Sequence, residues 1–466
     1  MSIALTTGNL AGILYLPLRL VHLLHALLSR IFPPSPPLRR TRNIYVETLG
    51  LAGLFLFLFN INLVWDLHRS GETMLIIAFF LAARHWSRVL MRQPLFWLMI
   101  AFAVALVIST MIGMENLPES RHKSEALRMA RLCLFVPLAW WIGSNIISIR
   151  NAFLVVCAGF IMASVPWLLD WNTLSALLEG RRAGQDITNL SPGDFGAWFG
   201  FFFLGFVILG RNLLPDWLKK GKVIFWGYLF FFFVLFILMT GLFVSQSRTT
   251  WIAVITVLPL GLIILCHAGF TEKKLSFKNF IVPALIFLLL FLFAASKLDV
   301  IKDRFSRTSP AVSQMLSGRF DQIEENSFGH RFVMYKWAME TESFVTAFGW
   351  GPRAIQAIGR NEELTEKLGW PDYGHLHSDS LATIFRTGIF GFSVFFLIYL
   401  FLARGAYAKY RDKKIPPAFY VFFVMLIVYA VIVGLGQLTF RIHAFQPVWM
   451  GLIFAAIINP DSEHGE

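Results

Sequence analysis

Twelve apolar stretches dominate this chain of 466 residues, most of them near the roughly 20 residues that a helix needs to cross a bilayer. They lie near residues 45–65, 73–83, 94–113, 127–147, 150–170, 194–210, 222–244, 250–268, 279–297, 379–403, 417–435 and 443–459. Only 15% of the residues are charged, whereas a soluble domain carries about 25%. Most of the surface must therefore face lipid, and the sequence predicts an all-α integral membrane protein with about 12 transmembrane helices.

The basic residues between these stretches predict an orientation. If the Pro-rich basic segment from Arg30 to Arg42 is cytoplasmic and the chain crosses the membrane at every stretch, most Lys and Arg residues of the short loops fall on the cytoplasmic side. Because Lys and Arg accumulate in cytoplasmic loops, we expect both ends of the chain there. The same bias explains the net charge of +13, and we expect no nucleic-acid partner.

The apolar stretches divide the chain into five predicted parts. They are an interfacial helix and basic cytoplasmic segment (1–44), transmembrane helices 1–9 (45–297), a loop domain (298–378), transmembrane helices 10–12 (379–459) and a cytoplasmic tail (460–466). The predicted topology places the loop domain outside. Loops of this length are usually functional or disordered, and aromatic residues such as Trp337 indicate order, so we expect a partly helical domain.

Basic residues on the outer side have no topological explanation, and an ionisable group near a membrane cavity is a functional candidate. The outer candidates are Arg181, Arg182, Arg248, Arg331, Arg353, His375, His377 and Arg441. Arg248 lies in a short turn between two spans, where its planar guanidinium can hold a phosphate through two hydrogen bonds. The alternative is an arginine that only reaches toward lipid headgroups.

Three other arginines of this set lie in longer outer loops. Arg331 begins an amphipathic segment that ends at Trp337, and a turn at residues 349–353 is expected to fold this segment back toward the membrane. A solvated charge on a helix face is the alternative interpretation of Arg331. For Arg181 and Arg182 the alternative is an ordinary solvated loop.

A helix is predicted to start within the sequence His377-Ser378-Asp379-Ser380-Leu381, with Ser378 or Asp379 as its cap. Gly388, on the same face as Leu381, is expected to let a neighbouring helix approach closely. His377 then lies at the water boundary, where a neutral imidazole is suited to general-base catalysis. A structural histidine is the alternative, and His375 is a second candidate base.

The sequence lacks the common motifs for metals and cofactors. The outer acidic residues show no paired-carboxylate spacing, and there is no Cys/His cluster, no phosphate-binding G-x-x-x-x-G-K-[ST] loop and no G-x-S-x-G nucleophile motif. We therefore expect a reaction without a metal and without a cofactor.

Taken together, these motifs resemble the O-antigen ligase and polymerase superfamily. The similarity covers roughly residues 180–400 and is clearest at 245–251, 329–353 and 377–391, which hold a Ser-Arg-x-x-Trp turn, an Arg-x-x-x-x-x-Trp helix and a His-Ser-x-x-Leu helix that continues to Gly388 and Gly391. The chain departs from the commoner pattern at Ser378 in place of asparagine, at Ser380 in place of an aromatic residue and at Arg353 in place of a glycine.

The resemblance implies a GT-C-like membrane fold that transfers a glycan from undecaprenyl diphosphate at the periplasmic face of a bacterial inner membrane. A ligase transfers the glycan to a sugar hydroxyl of lipid A–core. The resemblance makes His377 the general base on that hydroxyl, and it makes Arg248, Arg331 and Arg182 the ligands of the diphosphate. Arg353, His375 and Arg441 remain secondary or acceptor-side candidates. The partners implied are the lipid-linked donor, the lipid A–core acceptor and membrane lipids.

Two alternatives remain open. The first is an O-antigen or exopolysaccharide polymerase of the same superfamily, in which the acceptor is another lipid-linked glycan. The ligase is favoured because further basic outer residues can meet the phosphates of lipid A–core: Lys297, Lys302, Arg304, Arg307 and Arg319. The second alternative is a lipid or glycan transporter. It predicts ionisable residues near the midplane, broken helices and internal repeats, and the sequence gives no sign of an inverted repeat.

Overall fold

The computed structural model describes residues 8–34, 40–41, 43–63, 67–118, 121–170, 192–214, 223–271, 346–358, 378–437 and 445–458, with a few isolated residues between them. The described ranges are helical and contain no β-strand. The helices are α1 (Gly8–Ile31), α2 (Ile44–Asn60), α3 (Leu67–Leu81), α4 (Ala83–Leu90), α5 (Pro94–Asn116), α6 (His122–Ala130), α7 (Phe135–Ile142), α8 (Ile146–Leu169), α9 (Pro192–Leu209), α10 (Ile224–Val244), α11 (Arg248–Thr271), α12 (Ala354–Ile358), α13 (Asp379–Arg411), α14 (Pro417–Gly436) and α15 (Phe445–Ile457).

Six of the described helices are long and apolar enough to cross a membrane: α5, α8, α10, α11, α13 and α14. The bent pair α3 and α4 brings the number to seven if it counts as one span. The helices α2, α9 and α15 are apolar but shorter. An integral membrane protein built of helices is thus confirmed, whereas the number of twelve spans stays a prediction. The stretch at 279–297 lies outside the described residues.

One predicted span ends at a bend and another is interrupted. The stretch 73–83 forms the second half of α3, which turns by 80° into α4, and α4 carries Arg84 and Arg88. The stretch 127–147 becomes α6 and α7, separated by a 3-10 turn at Arg131–Leu134. Pro137 lies in the first turn of α7, the part of a helix in which a proline costs least, because the backbone N–H that it lacks would have no partner inside the helix there. Gly143 ends α7 with a φ of 75°.

The described residues form two compact units that alternate along the chain. The first unit comprises Met1–Trp97, Cys133–Ser164 and Pro447–Glu466, and the second comprises Leu98–Leu132 and Val165–Gln446. In the first unit, α2 packs on α1, α3 and α7. The second unit contains α9, α10, α11, α13 and α14, and it holds most of the residues to which the sequence assigns chemistry.

Arg40 shows that not every basic residue of the N-terminal segment is explained by membrane topology. Its side chain is 1% exposed, and it donates hydrogen bonds to the carbonyl oxygens of Phe32 at 2.8 Å and Ile142 at 3.1 Å. These carbonyls follow α1 and end α7, where a cation is favoured by the helix dipole. Burial lowers the pKa of Arg40 to about 10, although Glu47 at 3.6 Å opposes that shift, so the side chain stays charged at neutral pH. Arg40 therefore joins two helix ends in the first unit.

In the second unit, α9 is surrounded by protein. It contacts α10, α11 and α14, and Trp198 together with Phe199, Phe201, Phe202 and Phe203 is fully buried. A helix that is apolar all round is expected in such a central position. The neighbouring helix α10 instead leaves large apolar side chains exposed: Phe225, Trp226, Leu229, Phe230, Phe233 and Phe236. An apolar surface of this extent on α10 fits contact with lipid.

Candidate active site

Several helix ends of the second unit meet at one place. Two sets of side-chain hydrogen bonds meet at the end of α14: Gln437 binds Ser247 in the turn between α10 and α11, and Thr439 and Gln446 bind Asp379 at the beginning of α13. We call the residues of both sets, Ser247, Asp379, Gln437, Thr439 and Gln446, the helix-end cluster. The topology predicted from the sequence puts all of these helix ends on the same side of the membrane, and the structure brings them into contact.

The turn that carries Arg248 is held firmly on its N-terminal side. Gln437 donates a hydrogen bond of 2.7 Å to the hydroxyl of Ser247, which shares another of 2.9 Å with Thr250. Gln246 adopts a φ of 44°, so the chain reverses sharply before α11 begins. Arg248 is the first residue of α11 and is half-buried. The positive end of a 24-residue helix and a guanidinium thus lie at one point, and both attract anions.

Asp379 is the centre of the helix-end cluster. Its carboxylate is buried and accepts hydrogen bonds from the hydroxyl of Thr439 and, at 3.4 Å, from the amide nitrogen of Gln446. The amide oxygen of Gln446 accepts a 3.0 Å hydrogen bond from Tyr399, farther along α13. Ser378 occupies the N-cap position, as predicted, but its side chain makes no capping hydrogen bond. The carboxylate of Asp379 instead fixes the start of α13 to the residues that follow α14.

Small residues of α9 make room for this arrangement. A side chain at Gly196 would come within 2.7 Å of the Ser247 Cβ, and one at Gly193 would come within 3.2 Å of the Gln437 amide nitrogen. A side chain at Gly200 would collide with the hydroxyl of Tyr429. Close approach of this kind is the usual role of small residues between membrane helices. The glycines therefore let the Arg248 turn pack directly on the central helix.

α13 is broken at Gly388, where φ is 69° and ψ is −174°. The break frees backbone groups, and residues 346–351, which we call the docking loop, bind them. The backbone N–H groups of Trp350 and Gly351 donate to the carbonyls of Phe385 at 2.9 Å and Arg386 at 3.2 Å. In the other direction, the N–H groups after the break donate to the docking loop, from Ile389 to Thr346 and from Phe390 to Ala347. The sequence predicted a neighbouring helix at Gly388, and the neighbour is this loop.

The docking loop and the break fit each other closely. Gly349 and Gly351 have φ values of 75° and 101°, so the predicted turn at 349–353 is present and requires glycine at both positions. The rings of Trp350 and Phe385 are stacked with their centroids 6.2 Å apart, and the ring centroids of Phe348 and Phe390 are 5.5 Å apart. The break thus divides α13 into a leading segment, residues 379–387, and a longer trailing segment.

Substitution of Gly388 by alanine is expected to destabilise the protein. The strained backbone alone costs about 1–3 kcal/mol, and the steric contacts described next add to that cost. The added Cβ would also meet the carbonyl of Ala347 and lie 2.5 Å from the Phe348 nitrogen. Gly210→Ala is the matched control, because Gly210 has a φ of 45° and an added Cβ there would meet nothing within 4 Å. The unfolding temperatures of both variants are measured in detergent. An equal decrease for the two would show that the docking loop can move to accept the added Cβ without loss of stability.

A second polar cluster surrounds the end of the leading segment. The guanidinium of Arg386 is 1% exposed and lies 3.4 Å from the carboxylate of Glu125 in α6. The carbonyl of Arg386 accepts a hydrogen bond from Ser109 in α5 in addition to that from Gly351. Glu125 also pairs at 3.3 Å with Arg128, whose side chain is 63% exposed. Removing one partner of a buried ion pair typically costs about 3–5 kcal/mol, so Arg386 and Glu125 depend on each other.

His122 connects this second cluster to Arg353. The Nδ1 atom of His122 accepts a hydrogen bond of 3.3 Å from the backbone N–H of Arg353. Burial lowers the pKa of His122, a hydrogen bond with the backbone of Leu117 opposes this, and the charge of Arg353 lowers it further. A neutral imidazole is the form that can accept the hydrogen bond at Nδ1. Arg353, itself half-buried, is thus held beside the leading segment of α13.

Most of the site residues predicted from the sequence lie outside the described residues. These are His377, His375, Arg331, Arg181, Arg182 and Arg441. The two neighbours of His377 in the sequence, Leu376 and Ser378, are described and buried. Arg248 and Arg353 are described: Arg248 follows Ser247 of the helix-end cluster, and the backbone of Arg353 is bound by His122 beside the second cluster. The two clusters include Asp379 and Arg386 of the leading segment, which are seven residues apart, about 10 Å along a helix.

Several residues of these clusters were missed by the reasoning from sequence. Arg386 is a charged residue inside the apolar stretch 379–403, and an arginine at such a position is by itself a sign of function. Gln437, Thr439 and Gln446 are neutral and scattered around the last two spans, so the sequence gives no signal for them. In the described part of the chain, no group of three or more His, Cys, Asp and Glu side chains is placed to hold a metal ion.

A comparison with known protein families finds a match in this chain. Residues 231–396, which include the Arg248 turn and the start of α13, match the family model of O-antigen ligase. The match runs from the middle of α10 through the Arg248 turn, the docking loop and the break of α13, and it spans less than half of the chain. The resemblance to the O-antigen ligase and polymerase superfamily is thereby confirmed. A search among curated proteins finds no match. Glu125, Gln437, Thr439 and Gln446 lie outside the segment matched to O-antigen ligase.

Proposed function

We propose that this protein is an O-antigen ligase, which transfers O-antigen glycan from undecaprenyl diphosphate to a sugar hydroxyl of lipid A–core. The observation that carries the proposal is that the Arg248 turn and the start of the helix that follows His377 are both bound to residues just after α14, at the edge of the segment matched to O-antigen ligase. The site is proposed to face the periplasm from a bacterial inner membrane, since all the converging helix ends fall on the predicted outer side.

The proposed reaction is a direct displacement. His377, as general base, takes the proton of the acceptor hydroxyl, whose oxygen attacks the anomeric carbon of the donor glycan. The bond between that carbon and the diphosphate oxygen breaks, and undecaprenyl diphosphate leaves with the electron pair. Base assistance of this kind contributes about 10²–10⁴-fold to the rate. The proton then passes from the imidazolium to solvent.

The arginines act on the leaving group in this proposal. Arg248 and Arg331, with Arg182 as a further ligand, hold the diphosphate and stabilise the negative charge that develops on it. A guanidinium binds phosphate oxygens through two parallel hydrogen bonds, and preorganised donors of this type are worth about 10²–10³-fold each. The half-buried position of Arg248 at the start of α11 fits this role. Neither a metal nor a cofactor enters the proposed steps, and Arg353, His375 and Arg441 are assigned to the acceptor side.

Reconstitution tests the proposed function. The purified protein in lipid vesicles, supplied with undecaprenyl-diphosphate-linked glycan, is expected to release undecaprenyl diphosphate and glycosylate lipid A–core. Chain growth in the absence of lipid A–core would instead identify a polymerase of the same superfamily. Products are separated by gel electrophoresis and the released lipid is measured by mass spectrometry.

A transporter of lipid-linked glycan is the second candidate, and one observation favours it. α13 is discontinuous at Gly388 beside the buried Arg386, and discontinuous helices bind substrates in many transporters. In this chain, however, the backbone groups next to the break bind the docking loop. Transfer of intact donor across a vesicle membrane, without release of undecaprenyl diphosphate, would decide for the transporter.

A further inference from the structure

We infer that Arg386 and Glu125 are positioning residues of glycan transfer, because their ion pair fixes the short helix segment at whose start the proposed base is attached. The inference rests on the proposed function. It concerns residues that the family resemblance does not bring into the reaction, since Arg386 lies between the motif positions and Glu125 lies outside the matched segment.

The leading segment of α13 is short, and the break at Gly388 separates it from the rest of the helix. It runs from Asp379 to Thr387, and Gly388 follows with backbone angles that are not helical. A glycine has no side chain that would hold the two segments at a fixed angle. The orientation of the leading segment therefore depends on its contacts with other parts of the protein, among them the docking loop and the contacts at its two ends.

At its start, the leading segment is held by Asp379, which binds Thr439 and Gln446. At its end, it is held by Arg386 in two ways. The backbone carbonyl of Arg386 accepts from Ser109 and Gly351, and its guanidinium pairs with Glu125. The ion pair ties this end of the segment to α6.

Glu125 binds two arginines, but only one of them can position α13. Its Oε1 atom faces the guanidinium of Arg386, which is 1% exposed, and its Oε2 atom faces Arg128, which is 63% exposed and belongs to α6 itself. Water screens the second pair and reaches the first much less. Arg128 thus provides a matched control with the same carboxylate and the same type of side chain.

A small change in the orientation of this segment is expected to lower the rate of transfer, because the proposed base is attached to its start. Nine helical residues span about 13 Å, so a tilt of about 5° at the Gly388 end moves the start of the segment by about 1 Å. A displacement of about 1 Å at a reacting group can reduce the rate by about 100-fold. The pair between Arg386 and Glu125 is placed where it prevents such a tilt.

The test uses Arg386→Met, Glu125→Gln, the double variant and the control Arg128→Met in the reconstituted full-length protein. Both single variants are expected to lower kcat by about 10–100-fold with the KM for donor nearly unchanged, because binding of the diphosphate does not involve these residues. Arg128→Met is expected to keep kcat within about twofold of the unmodified protein. Thermal unfolding in detergent is measured in parallel for every variant.

The double variant separates positioning from stability. It leaves no unpaired buried charge, so its unfolding temperature is expected to recover relative to either single variant. Its kcat is expected to stay low, because the tie between α6 and α13 is still missing. Recovery of kcat together with stability would overturn the inference, as would a normal kcat in either single variant. If the unmodified protein itself fails to transfer glycan, the proposed function is refuted instead.

Discussion

Substitution of Arg248 by lysine is expected to reduce transfer by about 100-fold or more, although the charge is kept. A lysine is a point charge on a flexible stem and cannot form the two parallel hydrogen bonds by which a guanidinium holds a phosphate. The backbone around Arg248 offers no compensation, because Gln437 and Thr250 fix Ser247 and the chain reverses at Gln246. Loss of the two parallel hydrogen bonds should lower kcat/KM for the lipid-linked donor, measured by release of undecaprenyl diphosphate.

Arg404→Lys provides the matched control for this substitution. Arg404 is exposed in the trailing segment of α13, far from the helix-end cluster along that helix, and it undergoes the same chemical change. Transfer by this variant should equal that of the unmodified protein. Arg248 is half-buried and not part of the packed core, so the Arg248→Lys protein should unfold at a nearly unchanged temperature. Transfer at a normal rate by that variant would leave Arg248 as a headgroup contact, the alternative that the sequence allows.

The sequence was sufficient to predict the membrane class and the main apolar helices. Hydropathy works well here because a backbone inside a bilayer must satisfy its own hydrogen bonds, so that long apolar stretches become helices. It failed in the stretch 127–147, which the structure divides into α6, a 3-10 turn and α7. The stretch 73–83, in contrast, ends where α3 bends by 80° into α4, whose Arg84 and Arg88 favour the membrane interface over its interior.

For the candidate site, the sequence motifs indicated where the chemistry is, but not what holds it in place. The Arg248 turn and the start of α13 were recognised because each has a local pattern of residue types. Gln437 binds the first of these places, and Thr439 and Gln446 bind the second, through contacts between residues that are up to 190 positions apart. Neutral polar residues near span ends are common, so no local pattern distinguishes these three. A buried contact of this kind is a property of helix packing, which one sequence does not display.

Gly388 shows the same limit in a single residue. A glycine at helical spacing from Leu381 correctly indicates a point of close approach, but the spacing argument assumes that the helix continues. The backbone at Gly388 leaves the helix, and the partner is the docking loop, which precedes α13 in the chain. Gly349 and Gly351 give the complementary signal, since two glycines around a tryptophan favour a turn. Nothing in the sequence connects that turn to Gly388.

Substitution of His377 by alanine is expected to have the largest effect on transfer, a loss of about 10²–10⁴-fold in kcat. Without a base, the acceptor hydroxyl must attack while it still carries its proton, and no other group is proposed to remove it. Binding of the lipid-linked donor should persist, because the arginines hold the diphosphate. Isothermal titration with the donor, alongside single-turnover transfer, separates the two effects. The Asp379 contacts to Thr439 and Gln446 do not involve the His377 side chain, so α13 should still start at the same place.

His375→Ala distinguishes the two histidines, since it removes the same imidazole two positions earlier in the sequence. Transfer by this variant should fall far less than transfer by His377→Ala. The reverse order of effects would make His375 the base. Of the proposed mechanism, only the binding of the diphosphate by arginines would then remain. If neither substitution slows transfer, the acceptor is activated in another way. The direct displacement by a histidine base would then be excluded for this protein.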